Sequence, residues 1–75
     1  MLSGSTIRKI RKIYRLSQKD VARITGISES MVSMIESGAR QLPDKVAERF
    51  SEFLELTPEK VIDLLEFYQN TEVET

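Results

Sequence analysis

The side chains able to do chemistry here are hydroxyls, carboxylates, amines and guanidinium groups. The 75 residues contain no Cys and no His, which removes the usual nucleophile, the usual base near neutral pH, disulfides and nearly all zinc chemistry. Paired carboxylates could in principle support hydrolysis, but the acids fall mainly on solvent faces, so the chain is not expected to be an enzyme. The remaining polar chemistry concentrates between Glu29 and Ser37. At about 100° per residue, Ser30, Ser33, Met34 and Ser37 point one way, while Val32 and Ile35 point the other with Met31 at the margin. The outer face is small, uncharged and rich in hydroxyls. Such groups recognise rather than react: short hydroxyls can reach base edges in the major groove of duplex DNA, and the Met34 thioether can meet a thymine methyl. Serines that merely decorate an exposed helix are the plain alternative.

Charge supports a polyanionic partner. The formal net charge of −1 hides a polarised chain: residues 1–25 carry seven basic groups against Asp20 alone, a net +6, whereas residues 43–75 carry three against nine acidic ones, a net −6. A basic half facing a polyanion and an acidic half facing away fits this asymmetry, as do two independently solvated surfaces. With 40% hydrophobic and 31% charged residues, the composition is that of an ordinary globular domain, and the length allows one such domain with a small core. No apolar run exceeds two residues, so neither a membrane span nor a signal-peptide core is available. With no Cys in the chain, the expected location is the cytoplasm.

Positioning these side chains requires helices. Apolar residues recur at helical spacing throughout, and no period of two persists, which predicts an all-α, compact five-helix bundle. The first helix is expected from about Ser5 to Tyr14, with Ile7, Ile10 and Tyr14 inward. Ser17 reads as an N-cap forming a capping box with Asp20, and Leu16 can staple onto Val21. A helix over 18–25 follows and ends at Gly26. Ser28 caps the next, over about 29–37, with Ile27 stapling onto Val32, and Gly38 stops it. Two helices joined by so short a turn cross steeply, as in the helix-turn-helix unit. Pro43 or Asp44 opens a fourth helix running to about Glu55, with Val46, Phe50, Phe53 and Leu54 as its core stripe. Thr57 caps a fifth, with Pro58 in its first position and Leu56 stapling onto Val61. Residues 1–68 form the domain, and the tail over 69–75 is expected to fray.

The stretch Leu16-Ser17-Gln18 through Gly26-Ile27-Ser28 to Ile35-Glu36-Ser37-Gly38, with Ala22 at the inter-helix contact, resembles the helix-turn-helix of the Cro and phage-repressor (XRE-like) family. Ile7, Ile10 and Arg11 resemble its first helix and Leu56 to Leu64 its fifth, so the likeness covers roughly residues 7–65. It implies a repressor-like fold and sequence-specific binding of double-stranded DNA. By similarity, bases are read from Glu29, Ser30 and Met34, with Ser33 contributing. Glu29 could accept from a cytosine amino group, or simply favour the helix dipole as a first-turn acid. Gln18 would bind phosphate and buttress the third helix, and Ser37 and Arg40 would grip the backbone, with Lys19 and Arg15 adding charge. Arg11 and Glu36 would form a structural pair tying the first helix to the third.

The apolar residues of the fifth helix, Val61, Ile62, Leu64, Leu65, Phe67 and Tyr68, span about 220° of its wheel, about twice what packing on one core needs. A two-fold homodimer through Ile62, Phe67 and Tyr68 would cover the surplus and place two reading helices one DNA turn apart; a small domain exposing one or two apolar residues is the plain alternative. These features point to a transcriptional repressor on a palindromic operator, without cofactor, metal or membrane, and without an attached sensing domain. The second reading is a protein-interaction module, such as an antitoxin or adaptor, that binds a protein partner through its acidic C-terminal half.

Overall fold

The computed structural model describes residues 2–71. Five helices are found among them: α1 Gly4–Ile13, α2 Gln18–Thr25, α3 Glu29–Ser37, α4 Asp44–Leu54 and α5 Pro58–Thr71. Helix α1 packs on α3 and α5, and α2 packs on α3 and α4. Ile7, Ile10, Val21, Val32, Phe50 and Val61 meet in the core, with Tyr14, Leu16, Ile27, Leu54, Leu56, Leu64 and Leu65 packed around them.

The caps explain the boundaries. Ser17 Oγ accepts from the Asp20 amide at 3.0 Å while Asp20 Oδ2 accepts from the Ser17 amide at 2.9 Å, a complete capping box. Two otherwise orphaned donors are satisfied at once, which starts α2 at Gln18. Gly26, at φ 77°, ends it in the left-handed conformation, and Gly38, at φ 89°, ends α3 in the same way. Ser28 Oγ accepts from the Met31 amide at 3.0 Å and Thr57 Oγ1 from the Lys60 amide at 3.1 Å.

Three features differ from expectation. Helix α1 begins one residue early, because Ser3 Oγ accepts from the Thr6 amide at 3.2 Å and makes Ser3 the cap. Helix α5 takes in Gln69 and Asn70; residues 72–75 of the tail lie outside the described residues. Phe53 does not belong to the core: it is 63% exposed, whereas Val46 and Phe50 are buried. One turn beyond Phe50, it lines an open surface depression together with Leu16, Asp20, Arg23 and Ile24.

Candidate nucleic-acid interface

Helix α3 is divided by its packing. Val32, Ile35 and Glu36 are buried against the rest of the fold, while Glu29, Ser30, Ser33, Met34 and Ser37 are exposed. The four residues expected to read bases therefore lie together on the outward side of one short helix. Met31 is half-buried at its edge. The small hydroxyls of Ser30 and Ser33 leave room for the α3 backbone to approach a surface closely.

The inward side is held by one buried carboxylate. Glu36 accepts from Arg11 Nε at 2.7 Å and Nη2 at 3.0 Å, and from Gln18 Nε2 at 3.1 Å. The Arg11 and Glu36 side chains are only 11% and 3% exposed. Arg11 Nη1 also donates to the Leu16 carbonyl at 2.9 Å. The first helix, the turn into α2, the start of α2 and the end of α3 thus converge on the Arg11–Glu36 pair. A buried charge satisfied in this way orients its helix, because any rotation of α3 would leave the carboxylate unpaired. Gln18 sits at the first position of α2, where helix amides point outward and favour an anion, but its side chain is committed inward to Glu36.

The rim residues occupy varied settings. Ser37 Oγ donates to the Met34 carbonyl at 3.1 Å and accepts from the Ala39 amide at 3.4 Å, so it shapes the turn after α3. The Arg40 amide donates to the same Met34 carbonyl at 3.1 Å, which carries the exposed Arg40 side chain back toward the end of α3. Lys19 is exposed in the first turn of α2, and Arg15 is exposed in the turn before it, at φ 58°. Asp20, held by its capping hydrogen bonds to Ser17 and secondarily by Arg23 and Lys19, has its carboxyl below the ordinary carboxylate value.

On α5, Ile62 and Phe67 are 56% and 50% exposed. Tyr68 is half-buried, with the Lys9 ammonium 5.8 Å from its ring centroid. Of the three residues assigned to a dimer surface, Tyr68 is therefore turned in part toward its own α1.

Sequence reasoning missed two tethers. Arg49 Nη1 donates to the Thr25 carbonyl at 2.9 Å and Lys60 Nζ to the Leu54 carbonyl at 3.3 Å. Each places a cation on the C-terminal carbonyls of a preceding helix, where the helix dipole is negative. Their sequence signal is weak, since both stand among acidic residues and read as solvated charges.

Comparison with known proteins agrees with this geometry. The chain is similar to an uncharacterized HTH-type transcriptional regulator of Archaeoglobus fulgidus, at 38% identity over an alignment of 68 residues that covers 89% of this chain and 30% of that protein. It thus spans less than a third of the relative's length. No solved structure matches significantly. The helix-turn-helix family profile matches residues 7–61, from the first core residue of α1 to the buried Val61 that seats α5. With the capped pair α2 and α3 at its centre, the chain belongs to the helix-turn-helix family, of the Cro and phage-repressor type.

Proposed function

We propose that the chain is a DNA-binding transcription regulator that represses by occupying a palindromic operator as a homodimer, with α3 in the major groove. The observation that carries this reading is the division of α3: its reading side is exposed and small while Glu36 fixes its other side to two helices. Ser30, Ser33 and Met34 meet base edges, with Glu29 accepting from a cytosine amino group. Arg40, Lys19, Arg15, the start of α2 at Gln18 and the Ser37 turn contact phosphates. Residues 1–68 act as one DNA-binding domain in the cytoplasm, and no catalytic step or cofactor is involved. No helix among the described residues is long and apolar enough to cross a membrane.

Selection from random duplex DNA tests this reading. It predicts enrichment of a palindrome with half-site centres about 34 Å apart; failure to enrich any sequence would contradict it. A second reading, a module that binds a protein partner through the C-terminal half, draws on the exposed Phe53, Ile62 and Phe67. Recovery of a stable heteromeric complex from a chain that binds no duplex would favour it.

A further inference from the structure

Gly4 stands in the first turn of α1, directly against the last turn of α3. A β-carbon there would collide with the Ile35 carbonyl oxygen and lie 2.8 Å from the Ile35 carbonyl carbon and 3.3 Å from its Cγ2. The obstacle is backbone, which cannot turn aside as a flexible side chain would. Seven residues on, the same helix holds Glu36 through Arg11. Helix α1 therefore bears on α3 at two successive residues, by close approach at Ile35 and by an ion pair at Glu36, and the Arg11 tie resists the retreat of α1 as a whole from α3.

The Ile35 carbonyl lies within the structure that ends α3, where it accepts from the Gly38 amide at 3.2 Å. The neighbouring Met34 carbonyl accepts from the Arg40 amide and the Ser37 hydroxyl. Moving the Ile35 peptide would thus move Met34, Ser37 and Arg40 together.

We propose that Gly4 is a positioning residue for recognition: its missing side chain lets α1 seat α3 at the depth from which Met34 meets bases and Ser37 and Arg40 meet the backbone. This rests on the reading of α3 as the recognition helix. Close-packed interiors transmit displacements, and a methyl group at Gly4 must widen the gap to the Ile35 peptide by on the order of 1 Å, since the 6–12 repulsion permits nothing shorter; displacement of the α3 end is the part of that shift the proposal predicts. Helix propensity alone predicts the opposite sign, because Ala is a better helix former than Gly.

The test compares Gly4→Ala with Ser3→Ala in the 75-residue chain; Ser3→Ala removes the α1 cap seen in the Ser3–Thr6 hydrogen bond without adding an atom beside α3. Two quantities are read: backbone amide shifts of the free proteins, and the ratio of affinities for the selected and a scrambled duplex. Gly4→Ala is expected to fold, to shift the amides of residues 34–40, and to lower the affinity ratio about tenfold, the size of one lost base contact. Ser3→Ala is expected to lower the melting temperature and leave the ratio within about twofold. A Gly4→Ala protein with unmoved amides in α3, with an unchanged ratio, or too unstable to fold would overturn the positioning role. If the wild type binds no duplex, the recognition reading fails by itself, while the amide shifts still report whether Gly4 sets the seat of α3.

Discussion

Arg11 and Glu36, 25 positions apart, form a bidentate ion pair that joins α1 to α3 with almost no exposure to water. Gln18 adds a hydrogen bond to the same carboxylate. The last turn of α3 is therefore tied to the two helices that precede it, and the exposed residues of α3 inherit their orientation from that tie.

Removing one partner strands the other. Arg11→Ala leaves a buried carboxylate with only Gln18 for compensation, and the expected loss is about 3 kcal/mol of unfolding free energy. Arg11→Met combined with Glu36→Leu should recover most of that loss. Urea denaturation of Arg11→Ala and of the double variant checks this, and in Arg11→Ala stability should fall more than base discrimination does.

The two glycines that end α2 and α3 should differ in consequence. At Gly38, φ is 89° and a β-carbon would meet nothing within 4 Å, so Gly38→Ala carries only the left-handed strain, about 1 kcal/mol. At Gly26, φ is 77° and a β-carbon would lie 3.1 Å from Arg49 Nη1, the group that donates to Thr25. Gly26→Ala should therefore cost about 2 kcal/mol, strain plus a weakened tether. Thermal melts of both variants give the order.

Substitutions on the outward side of α3 should separate binding from folding. Ser30→Ala and Met34→Ala touch no core contact, so stability should change by less than about 0.5 kcal/mol. Discrimination against the wrong base should fall by about 1–3 kcal/mol at the position each residue reads. Arg40→Ala should instead weaken all duplexes alike and reduce the salt slope by about 1. Anisotropy titrations against single-base variants of the selected site distinguish the two patterns.

Asp20 sets an acid limit. Its carboxyl is held below the ordinary value of 3.8, chiefly by the Ser17 amide. A group depressed in the folded state contributes stability above its unfolded value and loses it as pH falls through the folded one. The capping-box contribution should accordingly be complete at neutral pH and disappear in the region below 3.8. Asp20→Asn should lower the melting temperature at pH 7 and flatten its decline in that acid range.

Phe67 offers a test of assembly. With half of its surface exposed, Phe67→Glu would place a charge in the middle of the proposed dimer face. Sedimentation should show the wild type with dimer mass and the variant, at the same concentration, with monomer mass. Identical masses would contradict the assignment of that face.

The parts of the fold legible in sequence are those with local chemical signals. Ser17 with Asp20, Gly26, Ser28 and Gly38 bound α2 and α3 at the residues expected, because capping hydrogen bonds involve only neighbours in the chain. Arg15 and Glu55 adopt the same left-handed conformation, at φ 58° and 54°, without the glycine that would announce it. Leu16 and Leu56 explain why: each follows such a residue, packs on the core and donates its amide to a carbonyl five residues back, so tertiary packing overrides the local preference. The exposure of Phe53 was hidden for a related reason. Periodicity places a residue on a face but does not say how far the neighbouring helix extends beneath it. In the interface, the outward set of α3 followed from helical geometry alone, and the Arg11–Glu36 pairing was visible only through family resemblance. The Gly4 contact with Ile35 had no signal in the sequence, since Gly4 stands before the expected helix start at Ser5 and a close approach between distant residues leaves no local pattern.

The most direct measurement is fluorescence anisotropy of the wild-type chain on its selected duplex and on a scrambled duplex, at two salt concentrations. A regulator that grips phosphates through the rim of α3 and reads bases through its outward face should bind the selected duplex at least about 10³-fold more tightly than the scrambled one. Its affinity should fall steeply with salt as counterions are released. Equal affinity for both duplexes, or binding indifferent to salt, would contradict the assignment of α3 as a recognition helix.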